Sequence, residues 1–221
     1  MRAKFDGICK DLLWELATSI GFEPVAQFNI YPQKRIEQLL GFVGEKDKRK
    51  GSVDFVWNRK LPKYGTFLAN EVFADVVVAW EVDNSANSHK SINSSIENLD
   101  RLNPRLGVEL LLIGTNLRAI KSFDRKFRNA VDTARGKNGR IIVIHDVHFA
   151  ILYNSITGAH PESLYKVYID ACKTDKVLAN MLRKKLEDLL KTSKADNLDF
   201  GKEFQEKFLD QIIDHNKRDQ N

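Results

Sequence analysis

Hydrophobic residues recur along this chain in two rhythms, one helical and one extended. Residues 3–20 place Phe5, Ile8, Cys9, Leu12, Leu13, Leu16 and Ile20 three or four positions apart, one apolar stripe of a helix that Gly21 ends. A shorter helix is expected over residues 33–40, with Ile36, Leu39 and Leu40 inward and Pro32 near its start. A charged turn over 45–51 precedes Ser52-Val53-Asp54-Phe55-Val56-Trp57, a strand rich in β-branched and aromatic residues. Residues 72–82 are almost all apolar, as in a central strand covered on both faces. Helical spacing returns over 85–102 through Ile92, Ile96, Leu99 and Leu102, with Pro104 just beyond. Residues 108–113 form a further strand closed by Gly114, residues 117–134 a helix with Ile120, Phe123, Phe127 and Val131 inward, and residues 140–144 a fourth strand.

Strand–helix–strand units imply parallel pairing with right-handed crossovers, whereas the first two strands have no clear helix between them and are expected to be antiparallel. The expected fold class is therefore α/β, a mixed central sheet flanked by helices. From Pro161 the composition turns to Lys, Glu and Leu, and residues 162–193 and 201–215 are helical in pattern. The chain divides on this reading into an α/β core over 1–160 and a helical C-terminal extension over 161–221.

Composition narrows the class. The 221 residues are 43% hydrophobic and 29% charged, a globular balance rather than a disordered one. Lys and Arg exceed Asp and Glu by 35 to 30, a mild excess that by itself says little about anionic partners. Cys9 and Cys172 sit among apolar residues and make neither a zinc pattern nor a disulfide framework. The N-terminal stretch carries charges throughout and reads as an amphipathic helix rather than a signal peptide, and no apolar run is long enough for a membrane span. A soluble, intracellular, cytoplasmic protein is expected. Residues 114–116 have no phosphate-binding glycine pattern, so no nucleotide cofactor is expected.

The chemistry concentrates at the end of the apolar strand. Glu81 and Asp83 are two residues apart, which in a strand puts both carboxylates on one face. Like charges so placed repel, and a hard divalent cation such as Mg²⁺ removes that cost. Asp54 interrupts the other apolar strand and is the natural third ligand. Three carboxylates on one or two metal ions suit phosphodiester hydrolysis, because the metal polarises a phosphoryl oxygen and acidifies a bound water. The plainer alternatives are a solvated strand edge for Glu81 and Asp83, and for Asp54 a turn-proximal side chain satisfied by backbone donors.

The order of a helix, a strand with a lone Asp54, a strand ending in Glu81-Val82-Asp83, a helix and a strand resembles the PD-(D/E)xK nuclease superfamily, which includes restriction, resolvase and repair enzymes. The resemblance covers roughly residues 1–145 as topology but only three residues as motif. It implies a metal-dependent endonuclease that cuts DNA with Mg²⁺ or Mn²⁺ on Asp54, Glu81 and Asp83. Val53 stands where the superfamily has Pro, and Asp83 where it has Lys. The resemblance offers Lys90, early in the next helix, as a relocated lysine, or Asp83 as a ligand to a second metal. It also offers Glu15 as an acid supplied by the N-terminal helix.

Three basic segments are candidates for phosphate contact: Lys46, Lys48, Arg49 and Lys50 before Asp54; Arg59, Lys60 and Lys63 after it; and the helix carrying Arg118, Lys121, Arg125, Lys126, Arg128 and Arg135. A solvated charged face is the alternative for that helix. His145-Asp146-Val147-His148, taken as extended, splits its histidines between two faces and so offers no metal pair. Double-strand cutting favours a homodimer, for which Leu178, Leu182, Leu186 and Leu189 offer a surface. A non-catalytic DNA-binding protein on the same fold, and an α/β protein-interaction module with structural carboxylates, are the competing readings.

Overall fold

A computed structural model describes residues 2–30, 51–58, 76–137, 140–158 and 175–195. The expected helix over 33–40, the basic residues Lys46, Lys48, Arg49, Lys50, Arg59, Lys60 and Lys63, and the segments 161–174 and 196–221 lie outside the described residues.

The N-terminal apolar stripe forms helix α1 (Arg2–Ser19). Strand β1 (Glu23–Ile30) follows, then β2 (Gly51–Asn58) and β3 (Val76–Asn84). Helix α2 (His89–Leu102) begins where the Ser88 side chain accepts the Ser91 amide, and it ends at Asn103 in the left-handed conformation just before Pro104. Strand β4 (Leu106–Leu112), helix α3 (Leu117–Arg135), strand β5 (Ile141–His145), helix α4 (Asp146–Thr157) and helix α5 (Lys176–Ala195) complete the order.

The strands form one sheet in the order β1-β2-β3-β4-β5. The first three pair antiparallel and the last three parallel. The mixed α/β architecture expected from the sequence is present, including a C-terminal helix. Strand β1 is an addition to that expectation. Its alternation is weak and Pro24 interrupts it, which an edge strand tolerates because one side needs no ladder.

Alternation assigns the two faces. Trp80 packs against Trp57 and against Phe149 of α4, and Phe55 meets Trp14 of α1 edge to face. Helices α1 and α4 therefore cover this face. The neighbouring residues Glu81 and Asp83 point the other way, towards α2. Gly107 on β4 lets α2 approach, since a Cβ there would stand 3.4 Å from the Leu99 Cβ and 3.2 Å from Ile141. Helix α5 touches both α3 and α4. Its Leu182 and Leu189 are buried, and Leu178 and Leu186 pack against the same core. Of the leucines expected to offer a dimer surface, Leu182 and Leu189 thus lie in the chain's own core, and Leu178 and Leu186 are half-buried against it.

One local expectation is corrected. His145 ends β5, but Asp146 begins a helix rather than continuing the strand. The buried Asp146 carboxylate accepts the Ile113 amide at 2.8 Å and anchors that turn. The His145 and His148 rings consequently stack, with centroids 3.8 Å apart. No helix among the described residues is long and apolar enough to cross a membrane.

Candidate functional site

The sheet opens at Asp54. The β2–β3 ladder runs from Asn58↔Val76 to Phe55↔Trp80, and there it ends. One step further, the Asp54 Oδ2 accepts the Val82 amide at 3.1 Å, so a side chain takes the place of a strand carbonyl. On the other side, pairing passes from Ala26↔Phe55 to Phe28↔Val53. Gln27, between these pairs, adopts φ 55° and donates its side-chain amide to Asp54 Oδ1 at 3.0 Å. Such a backbone costs about 1–3 kcal/mol in a non-glycine residue and persists only where its surroundings enforce it. The Lys10 Nζ of α1 lies 3.3 Å from the same oxygen.

Beneath α2, Glu81 and Asp83 are each 6% exposed. The polar side of that helix serves them. Asn98 donates to Glu81 Oε1 at 3.3 Å and to the Ser52 carbonyl at 3.1 Å, tying β3 to β2. Ser95 donates to Asp83 Oδ2 at 2.7 Å, and Asn87 donates to Asp83 Oδ1.

A fourth acid completes the group, one the sequence reading passed over. Glu109 stands directly beside Glu81 in the parallel β3–β4 register. It is 0% exposed, and no amide, hydroxyl or ammonium group donates to either carboxyl oxygen; the polar group beside it is the Asp83 carboxyl. Its signal was the same as that of Asp54, one acid inside an apolar strand, Leu106-Gly107-Val108-Glu109-Leu110-Leu111-Leu112.

Burial makes these charges expensive. The Glu81 carboxyl is pushed up to about 8, first by burial and then by the charge of Asp54, with Asn98 opposing. Asp83 is raised by burial, and its bonds from Ser95 and Asn87 oppose the rise. Glu109 is raised well above the ordinary range by burial, then by the charges of Asp83, Glu81 and Asp54. The acids therefore titrate as a group that resists full ionisation unless a cation joins it.

The remaining expected residues lie elsewhere. Lys90 is exposed on α2, on the same side as Glu97 and Arg101. Glu15 accepts the Tyr153 hydroxyl, tying α1 to α4. Burial, then that bond to Glu15, pushes the Tyr153 hydroxyl up to about 12. Arg118, Lys121, Arg125 and Arg128 share an exposed stripe of α3, opposite its buried Ile120 and Phe123. Lys126, beside that stripe, donates to the carbonyls of Ser85, at 2.6 Å, and of Asn87. It thereby holds the loop that follows the acids. Burial and then Arg118 and Arg125 push its ammonium down. Lys10 escaped the sequence reading because only the tertiary fold brings it across 44 positions to Asp54.

An all-carboxylate set matches the preference of Mg²⁺ or Mn²⁺ for hard oxygen donors, and the unpartnered Glu109 oxygens supply lone pairs to such an ion. Among the described residues, no three His, Cys, Asp or Glu side chains are already grouped to hold one. Binding thus requires side-chain rotation, for which Glu81 and Glu109 have the longer arms. Compared with family models, curated proteins and solved structures, the chain matches none.

Proposed function

We propose that the chain is a metal-dependent endonuclease that hydrolyses phosphodiester bonds in DNA, of the PD-(D/E)xK kind. The observation that carries this reading is the bond from the Val82 amide, between Glu81 and Asp83, to the Asp54 carboxylate where β2 and β3 part. Mg²⁺ or Mn²⁺ bound there supplies a polarised phosphoryl oxygen and a water of lowered pKa.

The chain's own groups do the rest. Glu81 and Asp83 hold the ion, Asn98 and Ser95 fix their orientation, and Asp54 braces the strand opening. Lys10 brings to Asp54 the positive charge that the Glu81-Val82-Asp83 triplet lacks. The stripe Arg118, Lys121, Arg125 and Arg128 binds backbone phosphates. Cutting both strands of a duplex suits a homodimer.

A second reading, a non-catalytic DNA-binding protein on this fold, is favoured by the hydrogen bonds that already occupy both oxygens of Asp54 and Asp83. Cleavage of plasmid and branched DNA in Mg²⁺ or Mn²⁺ separates the two. Metal-dependent cutting that disappears in Asp54→Ala and Glu81→Ala supports the nuclease. DNA binding without cutting by the parent supports the second reading, and absence of both points to a protein-interaction module.

A further inference from the structure

The carboxylate row on the face under α2 runs across three strands. Asp54 lies one step past the Phe55↔Trp80 pair and so falls opposite Glu81, while Glu81 pairs in register with Glu109. Adjacent strands are roughly 4.8 Å apart, within the combined reach of two glutamate side chains turned to one ion. Asp83, two residues along β3 from Glu81, projects from the same face.

The four acids are not equally placed to accept an ion. Asp54 is engaged by Lys10, Gln27 and the Val82 amide. Asp83 receives Asn87 and Ser95. Glu109 differs from both: it is fully buried, no amide, hydroxyl or ammonium group donates to either oxygen, and its polar neighbour is another acid, the Asp83 carboxyl. Two buried carboxyls can share one proton, but once both are ionised Glu109 is left with no partner, a state that only a cation would relieve.

We propose that Glu109 is a ligand for a divalent cation, shared with Glu81 and Asp83, and that the ion seats towards β4 rather than towards the lysine-bound Asp54. The proposal rests on the metal-dependent reading for the class of ion, and it adds a ligand on a third strand. Held between β3 and β4, an ion would face the α2 residues Ser95 and Asn98, which orient Asp83 and Glu81. Asp54 and Lys10 would then sit at its outer side.

The test is direct binding of Mn²⁺ without nucleic acid, followed by electron paramagnetic resonance of the unbound ion, with calorimetry as a check. It compares the parent with Glu109→Gln, which keeps the shape and removes the charge. Glu97→Gln, which removes an exposed acid of α2 paired with Arg101, controls for loose surface binding. The expected result is a loss of at least tenfold in Mn²⁺ affinity for Glu109→Gln and no change for Glu97→Gln. If Glu109→Gln does not fold, Glu109→Asp keeps the charge on a shorter arm and should weaken binding by a smaller factor. Mn²⁺ bound as tightly by the folded Glu109 variant as by the parent overturns the proposal and leaves the nuclease reading intact. Binding lost in Glu109→Gln together with a parent that cuts no DNA upholds the cation site while the nuclease reading fails. No Mn²⁺ binding by the parent overturns both.

Discussion

Glu81 and Glu109 stand side by side on adjacent parallel strands, both beneath α2 and both closed off from solvent. Two acids in that relationship oppose each other's ionisation, and Asp54 and Asp83 add to the effect. The stability of the folded chain is consequently linked to pH and to cations at this one place.

Without divalent cations, the chain should lose stability as pH rises from about 4.5 towards about 8. Over that window the unfolded Glu81 has ionised while the folded one keeps its proton, so rising pH favours unfolding. The loss should amount to a few kcal/mol at most, at about 1.4 kcal/mol per pH unit of displacement. Urea unfolding in EDTA from pH 5 to 9 measures it. Glu81→Gln should flatten the slope, and a slope unchanged in that variant would contradict the assignment.

His145 should give the opposite slope. Burial, then the charges of His148 and Lys185, push its ring down to about 3, so it stays neutral in the fold while the unfolded ring protonates near 6.5. Stability from this residue is complete above pH 6.5 and is lost as pH falls towards about 3. Proton NMR of the imidazole should show no titration of His145 between pH 7 and 4.5 in the folded protein. A midpoint near 6.5 would mean that the ring is not buried between α3 and α5.

Lys126 closes the loop after β3 through the carbonyls of Ser85 and Asn87. Lys126→Met keeps the aliphatic arm and removes both bonds. A loss of about 1–3 kcal/mol is expected, as for hydrogen bonds from a charged donor. Hydrogen exchange should report faster opening at residues 85–88 than in the rest of the sheet, and uniform acceleration would argue against a local role.

Gly107 sets the distance between α2 and the sheet. Gly107→Val would press on Ile141 and Leu99, an overpacking that costs about 1–3 kcal/mol. Because α2 carries Ser95 and Asn98, the variant should also weaken Mn²⁺ binding, although Gly107 touches no acid of the cluster. Lost stability with unchanged Mn²⁺ affinity would separate the helix position from the site.

Much of this was legible in the sequence because apolar strands make their exceptions conspicuous. Asp54 and Glu81 stood out inside such runs, and Ile92, Ile96 and Leu99 announced the helix that covers them. Glu109 carried the same signal, but a single acid without a neighbour drew no inference. Strand β1 was hidden by Pro24 and by Gln27, whose backbone departs from the extended form. His145 to His148 suggested a strand because periodicity over four residues cannot show that the chain turns helical at Asp146. Lys10 near Asp54 depends on how α1 docks, which no local pattern encodes.

The central claim is tested most directly by nicking of supercoiled plasmid under single-turnover conditions in Mg²⁺ and in Mn²⁺, comparing the parent with Glu81→Gln. The substitution is isosteric and replaces a carboxyl that the fold holds protonated but the unfolded chain ionises, so the variant should be folded and at least as stable as the parent at neutral pH. The account predicts metal-dependent nicking by the parent, abolished by EDTA and reduced roughly a hundredfold or more in Glu81→Gln, the scale of losing an electrostatic group from a hydrolytic site. A parent that leaves the plasmid intact in both metals, or a folded Glu81→Gln that nicks as fast as the parent, would contradict it.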